Sequence, residues 1–184
     1  MEIIEASPKT YARLTLLKEI LGITGTEEDS LLSERIKQAS AKIDSMTNRE
    51  FNKQHVKENF RNADLPFLVL NVTPIKEIIS ILADGSSIVD DVTIDYQAGI
   101  VLFPFSRIGQ DVEIEYIGGY ETLDTDFEIP PDVENAALKL AMADYNDPDR
   151  NISKQTLEGN SISYDYSGIL GDVQETLRHW RRVV

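Results

Sequence analysis

Apolar residues recur at helical spacing in four segments of the chain, and these segments predict helices over about 8–21, 27–49, 131–146 and 172–182. The second segment follows a possible capping box formed by Thr26 and Asp29. Its apolar stripe consists of Leu32, Ile36, Ala39, Ile43 and Met46. The stripe holds for about two heptads, which is too short for a coiled coil and favours packing against a helix of the same chain.

Start and stop signals delimit the other three helices. Ser7, Pro8 and Gly22 bracket the first helix. Pro131 opens the third helix, whose first turn is acidic and whose body is rich in alanine. Asp172 begins a second possible capping box and so predicts the start of the fourth helix.

Short apolar runs of period two fill the region between the second and third helices, over about 52–120. The clearest run is Asp111 to Ile117, in which apolar residues alternate with Glu113 and Glu115. Asp84-Gly85 separates two such runs and predicts a hairpin turn. The polar range 147–161 predicts a surface loop. These elements indicate an α+β fold: a frame of about four helices with an inserted small antiparallel β region, forming one domain over 1–184.

Composition narrows the function classes. The formal net charge is −14, which argues against a general nucleic-acid binder because affinity for phosphate backbones comes from lysine and arginine. The sequence has no cysteine, so disulfides and thiolate chemistry are excluded. We find no signal peptide and no apolar run of membrane-spanning length, and we expect a protein made in the cytoplasm.

Catalytic and metal-binding patterns are weak. His55 and His179 lie near opposite ends of the chain, without the spacing of a metal pair, and no nucleophile elbow occurs. Asp144, Asp147 and Asp149 resemble a calcium loop only superficially, because Pro148 and Asp149 fall where a ligand and a glycine are needed. We therefore expect no cofactor, no metal and no enzyme activity. A carboxylate-dependent metal hydrolase using Asp144 and Asp147 is kept as a minor alternative.

The C-terminus is the one basic segment that stands out. Trp180, the only tryptophan, lies among Arg178, Arg181 and Arg182. Tryptophan and arginine are enriched at protein interfaces, which favours partner binding. The competing interpretation is that Trp180 closes the helical core while the arginines complement a helix C-terminus. Both can hold at once.

The order of these features resembles the head-tail connector (adaptor) family of tailed bacteriophages and prophages, in its longer members with a β insertion. The resemblance covers most of the chain. It is carried by the segments LKEILGI, EEDSLLSERIKQASAKIDSMTNREF, VLNVTPIKEIISILADG, VEIEYIGGY and IPPDVENAALKLAMADYNDPDR. The motifs within them are the TNREF helix exit, the Thr-Pro turn, the Gly-Tyr strand end and the proline-initiated alanine-rich helix.

The resemblance implies a non-catalytic virion subunit at the head-tail junction. Such a subunit forms a homo-oligomeric ring below the portal protein, extends the DNA channel without sequence-specific DNA binding, and receives a stopper or tail-completion protein. The segment that docks on the portal or a neighbouring ring would include Leu177, Arg178, Trp180, Arg181 and Arg182. Loop contacts would come from Asp147, Asp149 and Arg150, and from the turn at 84–87.

Besides the minor metal-hydrolase alternative, two non-catalytic functions remain open from the sequence. The first is this connector. The alternative is a small non-catalytic adaptor that captures one protein partner without forming a ring, through its exposed sheet face or C-terminal helix. A ring of high order and a complex of small, fixed stoichiometry distinguish them.

Overall fold

A computed structural model describes residues 1–63, 66–103, 110–123, 126, 128–146, 155–157, 160–162 and 166–182. It confirms the α+β class. The helices are α1 Leu14–Leu21, α2 Asp29–Thr47, α3 Pro131–Asn146 and α4 Tyr166–Leu177, with 3-10 turns at Val89–Asp91 and Arg178–Trp180. The strands are β1 Glu2–Ala6, β2 Gln54–Ala63, β3 Phe67–Val69, β4 Ile75–Ala83, β5 Ser86–Ser87, β6 Thr93–Asp95, β7 Ile100–Leu102, β8 Gln110–Gly118, β9 Gln155–Leu157 and β10 Asn160–Ile162.

The chain folds as two compact units. The β unit comprises Met1–Pro8 and Glu50–Glu128, and the helical unit comprises Lys9–Arg49 and Ile129–Val184. In chain order most of the β unit lies between α2 and α3, and the first eight residues of the chain belong with it as well. That the whole chain forms a single domain stays a prediction.

The β unit contains a five-stranded antiparallel sheet in the order β1-β2-β8-β4-β5 and a three-stranded antiparallel sheet in the order β3-β7-β6. Strand β8 alternates as predicted, because Val112, Ile114 and Tyr116 are buried while Glu113 and Glu115 are half-exposed. The core cluster also includes Val56, Leu68, Leu70, Ile81 and Val101. Alternation thus places one face of the larger sheet against the core.

The predicted hairpin turn is confirmed at Asp84-Gly85, between β4 and β5. Both residues have positive φ, 46° and 80° respectively, a conformation that glycine adopts without steric cost and that aspartate tolerates. Strand β1, by contrast, was not predicted. All five of its residues are exposed, so EIIEA has no buried face and lacks the period-two pattern by which strands are recognised; its pairing with β2 also shifts register between Ile3 and Glu5.

The first helix begins at Leu14, so the predicted start at residue 8 is wrong. The backbone N–H of Tyr11 donates to Ser40 Oγ at 2.9 Å, and its hydroxyl donates to Asp44 Oδ1 at 2.6 Å. Arg13 has extended geometry, with φ −75° and ψ 131°. Contacts with α2 therefore hold this segment extended, and the helix starts only after them.

Helix α2 ends at Thr47 with Asn48 in left-handed geometry at φ 51°. Its predicted capping box does not form, because the capping residue is Glu28 and makes no side-chain cap hydrogen bond. The Asp29 carboxylate instead accepts from Lys18 Nζ at 2.6 Å, which ties α2 to α1. Helix α3 has the predicted bounds.

The fourth helix begins at Tyr166, so the second predicted capping box lies inside it rather than at its start. Gly168 and Gly171 each lower intrinsic helix stability by about 1 kcal/mol, so local preference does not favour a helix that starts before Asp172. Packing against α3 overrides that local preference, with Val173 and Leu177 buried. The range 147–161, predicted as a loop, contains β9 and the first residues of β10, which pair as an antiparallel hairpin.

Candidate docking site

The basic C-terminal segment forms a 3-10 turn directly after α4. Leu177, the last residue of α4, is 2% exposed, so its side chain is packed inside the helical unit rather than offered to a partner. The turn then runs over Arg178–Trp180, and Arg182 N–H donates to the carbonyl oxygen of Thr47 at 2.8 Å. This hydrogen bond joins Arg182 to the last residue of α2. We refer to residues 178–182 as the C-terminal turn.

Trp180 is held by two elements of the helical unit. Its indole Nε1–H donates to Asp132 Oδ2 at 2.7 Å, at the start of α3. The guanidinium carbon of Arg49 lies 5.2 Å from the centroid of the indole ring, within the range of a cation–π interaction. Trp180 is half-buried in this arrangement. The interpretation that Trp180 closes the helical unit is therefore supported by direct contacts.

The carboxylate of Asp132 contacts side chains of the C-terminal turn and the backbone of α3. Oδ2 also lies 3.0 Å from Nε2 of His179, whose ring is tilted by 44° against that of Trp180 at a centroid separation of 5.1 Å. Oδ1 accepts from the backbone N–H of Val133 at 2.9 Å. A carboxylate in the first turn of a helix is favoured by the N-terminal end of the helix dipole. The same carboxylate thus accepts a hydrogen bond within the first turn of α3 and contacts Trp180 and His179 of the C-terminal turn.

The arginines of the turn differ in their surroundings. The side chain of Arg178 is 79% exposed and lies 3.7 Å from Glu175, a pair too exposed to hold it firmly. Arg181 is exposed. The structure therefore divides the predicted docking residues into an inner set, Leu177 and Trp180, and an outward basic set, Arg178 and Arg181.

The other predicted contacts are only partly described. Asp147, Asp149 and Arg150 lie outside the described residues. The turn at 84–87 is exposed, and Asp84 Oδ1 accepts from the backbone N–H of Asp111 at 3.1 Å. Sequence reasoning missed Asp132 and Arg49 as neighbours of Trp180, because both are distant in sequence and carry no motif of their own.

Asp144, which the metal-hydrolase alternative needs, is used in packing. Its side chain is fully buried, and Lys42 Nζ lies 3.2 Å from Oδ2 and 3.4 Å from Oδ1. This ion pair joins α2 and α3. Within the part of the chain that the structure describes, no group of three or more histidines and carboxylates could hold a metal ion.

The outward face of the larger sheet carries diagonal side-chain pairs between β2 and β8. Lys57 Nζ lies 2.8 Å from Glu113 Oε1, and His55 Nε2 lies 2.8 Å from Glu115 Oε1. The hydrogen bond to Glu113 raises the pKa of the Lys57 ammonium. Polar and charged side chains therefore cover the solvent-facing side of β2 and β8, as is common for an antiparallel sheet with one buried face.

The motifs that carry the family resemblance meet in the β unit, at a junction of Phe51, Pro74 and Gly118–Tyr120. Gly119 N–H donates to the carbonyl of Pro74 at 2.8 Å, and Tyr120 N–H donates to that of Phe51 at 2.8 Å. The rings of Phe51 and Tyr120 stack with centroids 6.5 Å apart. A Cβ on Gly118 would stand 2.5 Å from the Val72 carbonyl oxygen, so only glycine fits there. The Thr-Pro motif, the Gly-Tyr motif and the phenylalanine of TNREF therefore pack against one another within the β unit.

Comparison with solved structures finds a similar fold in chains of gene transfer agent particles. The chain is similar to a chain of the "Virion of native gene transfer agent (GTA) particle", with a TM-score of 0.65 and 16% identity over 100% of this chain and 95% of that one. It is similar to a chain of the "Neck of empty GTA particle computed with C6 symmetry", with a TM-score of 0.61, 17% identity and the same coverage. A third match is "Neck of native GTA particle computed with C12 symmetry", with a TM-score of 0.62, 16% identity and the same coverage.

The sequence itself matches one family. No curated protein matches the chain. In the described residues, no helix has the length and apolar character needed to cross a bilayer. The profile of the family described as head completion protein matches residues 13–183, which include all four helices and nine of the ten described strands in full. The resemblance to head-tail connectors is thereby confirmed, and the chain belongs to the head completion protein family.

Proposed function

We propose that this chain is a structural head-tail connector subunit of a tailed phage or prophage, which forms a ring below the portal, extends the DNA channel and joins head to tail. The observation that carries the proposal is the family match over residues 13–183. The similar fold of chains in gene transfer agent necks supports it. The chain then works in the virion, at the head-tail junction, after synthesis in the bacterial cytoplasm.

The subunit acts without catalysis in this proposal. Two buried carboxylates of the helical unit serve packing: Asp144 pairs with Lys42, and Glu134 accepts two hydrogen bonds from the Arg13 guanidinium at 2.8 and 3.0 Å. Such pairs hold helices together rather than activate a substrate. The function follows from shape, surface charge and assembly.

A closed ring needs two different complementary surfaces on each subunit. The neck structures with a similar fold were described with six-fold and twelve-fold symmetry, which supports a ring of high order here. We propose that the ring is homo-oligomeric, with the portal on one side and a stopper or tail-completion protein on the other.

The negative net charge of the chain is compatible with a role in the wall of a DNA channel. Each subunit carries a formal charge of −14, and a ring multiplies that charge around its lumen. Acidic groups within a screening distance of about 8 Å repel phosphates, so DNA passes without adhering to the wall. The turn at 84–87, together with Asp147, Asp149 and Arg150, supplies candidate lumen or intersubunit contacts.

Native mass spectrometry over a wide concentration range, with negative-stain images of any large species, tests the ring. We expect a closed oligomer of high order at high concentration. A fixed complex of one or two copies at every concentration would favour the single-partner adaptor instead. Raised salt should promote the ring, because it screens repulsion between subunits of like charge.

A further inference from the structure

We infer that neighbouring copies of this chain meet head to tail through the β unit, where an apolar patch on the three-stranded sheet of one copy docks in a groove on the five-stranded sheet of the next. The outer patch consists of Phe67, Val69, Ile100 and Leu102. The edge groove lies beside β1 and is lined by residues that include Ala6, Pro8, Lys53, Ile117, Glu121 and Leu123. This inference rests on the proposed function and names the surfaces that close its ring.

The outer patch is built from cross-strand pairs of the three-stranded sheet. Phe67 lies opposite Leu102, and Val69 lies opposite Ile100. Phe67 is 39% exposed, and Val69 and Leu102 are each 43% exposed, while the alternate residues of both strands are buried. Contiguous apolar side chains on a surface are typical of protein contact sites, and aromatic residues are enriched at them. The patch therefore offers Phe67 and its neighbours to a second molecule.

The edge groove is a concave site of the same unit. Its volume is about 410 Å³, within the range of about 300–1,000 Å³ of clefts that receive small ligands. Leu123 is 50% exposed, and Ala6 and Pro8 are exposed as well. Covering such apolar surface removes it from water, which is the main favourable contribution to protein association. The groove therefore has the space and the lining for an apolar side chain of a partner.

The outer patch and the edge groove lie on opposite sides of the β unit. Tyr116 of the five-stranded sheet and Leu68 of the three-stranded sheet are buried in one core cluster, so the two sheets pack face to face. Phe67 precedes Leu68 and Ile117 follows Tyr116, so each points away from that core on its own side. Different surfaces on opposite sides of a subunit make a heterologous contact, which can close into a ring. A second copy fits as the occupant because every copy supplies both surfaces.

The distribution of charge also favours a second copy. The segments of the three-stranded sheet, 66–70 and 88–103, contain three aspartates and no lysine or arginine. One of these aspartates, Asp95, is exposed on β6 directly opposite a residue of the outer patch. At the groove, the side chain of Lys53 is 45% exposed and lies 3.3 Å from Glu121. An ammonium has three donors, so Lys53 can bind a second carboxylate. Acidic residues also line the groove, so this pairing orients the contact more than it strengthens it.

The absence of cysteine from the chain allows a crosslinking test. Leu102→Cys labels the outer patch and Leu123→Cys labels the edge groove. The full chain with one or both substitutions is treated with a short bismaleimide crosslinker, under conditions in which native mass spectrometry detects the ring, and is run on a denaturing gel. The matched control combines Leu123→Cys with Ile20→Cys, because Ile20 is 47% exposed and lies on α1 of the helical unit.

We expect the variant with Leu102→Cys and Leu123→Cys to give a ladder of covalent dimers, trimers and larger species. Each single variant should stay monomeric on the gel, and a mixture of the two single variants should stop at dimers, since each copy then carries one reactive surface. The control should give less than a tenth of the ladder. Dimers from Leu102→Cys alone would mean that the patch contacts itself, which overturns the head-to-tail arrangement.

A second variant tests the side chain at the centre of the proposal. Phe67→Ala should raise the concentration at which half of the chain is assembled at least tenfold, because aromatic residues in pockets dominate the energetics of interfaces. Ile20→Ala should leave that concentration unchanged. Circular dichroism checks that both variants are folded, and the crosslinked ladder decides if Phe67→Ala is not. Assembly of a folded Phe67→Ala chain at the wild-type concentration would overturn the inference.

Two outcomes separate this inference from the proposed function. A ring in native mass spectrometry without the crosslinked ladder overturns the inference and leaves the connector role standing. If the wild-type chain forms no ring at any concentration, either alone or mixed with the portal protein of the same genome, the proposed function itself is contradicted.

Discussion

Arg13 and Glu134 form a two-pronged ion pair across the helical unit, with Nε to Oε1 at 2.8 Å and Nη2 to Oε2 at 3.0 Å. The backbone N–H of Arg13 also donates to Oε1 at 3.3 Å. Glu134 lies in the first turn of α3 and is 8% exposed, whereas Arg13 immediately precedes α1. The pair therefore links the start of one helix with the start of another.

Removing the arginine should destabilise the helical unit. Arg13→Ala leaves a largely buried carboxylate without its guanidinium, and we expect the free energy of unfolding to fall by about 2–3 kcal/mol. Urea denaturation measures this. The control is Lys139→Ala, which breaks an exposed pair with Asp172 and should cost less than about 0.5 kcal/mol. Equal losses for the two variants would contradict the account of Arg13.

Gly119 should not tolerate a side chain. Its φ is +88°, and an added Cβ would stand 2.4 Å from the carbonyl oxygen of Asn52. We expect Gly119→Ala to lower stability by about 2 kcal/mol or more, because strain and a clash with backbone combine. Gly171→Ala is the matched control: it lies in α4 with no atom within 4 Å of the new Cβ, and should raise stability by about 0.5–1 kcal/mol. Thermal unfolding distinguishes the opposite signs.

Tyr116 should make the β unit sensitive to alkali. Its hydroxyl donates to Glu58 Oε1 at 2.5 Å and accepts from the Val72 N–H at 2.9 Å. Burial, followed by the charge of Glu58, raises the pKa of the Tyr116 phenol far above its ordinary value of 10.0. Above pH 10 the unfolded chain therefore loses this proton while the folded chain keeps it. Stability should fall with rising pH, by at most about 1.4 kcal/mol per pH unit from this group.

Denaturation midpoints measured on both sides of pH 10 check the effect. Tyr116→Phe should reduce the decline above pH 10 and should also lower stability at neutral pH, since Val72 and Glu58 lose a partner. Tyr96→Phe, at an exposed tyrosine, is the control and should leave both unchanged. A decline that is equally steep in Tyr116→Phe would contradict the assignment.

The strands of the β region could be predicted because alternation is a local signal, and β8 is the clearest case. Strand β1 was missed because all five of its residues are exposed, so its sequence carries no alternation of apolar and polar positions. The starts of α1 and α4 were wrong because their boundaries depend on tertiary contacts, such as Tyr11 with Ser40, rather than on capping residues. The capping residues near these two helix starts therefore did not predict where the helices begin.

The candidate site was predicted in part. The sequence indicated the C-terminal turn through its composition, since one tryptophan lies among three arginines. It could not indicate which of these residues point inward, because Trp180 is fixed by Asp132, which is 48 residues away. The division into anchor and exposed arginines follows only from the packing of α3 and α4.

Asp144 offers a test against the metal-hydrolase alternative. That alternative predicts a thermal shift with Mg²⁺ or Mn²⁺ that Asp144→Asn abolishes. Since the carboxylate is buried and paired with Lys42, we expect neither ion to shift the melting temperature. We expect Asp144→Asn to lower it equally with and without metal, by an amount that corresponds to about 2 kcal/mol. A metal-induced shift that is lost in the variant would contradict this account.

The central claim is that the chain forms a ring on the axis of the portal. It is tested most directly by electron-microscopic averaging of the cognate portal protein mixed with the full chain. We predict an added ring of density that is coaxial with the portal and lies on one of its faces. A single off-axis density on each portal, or no added density, would contradict the connector account.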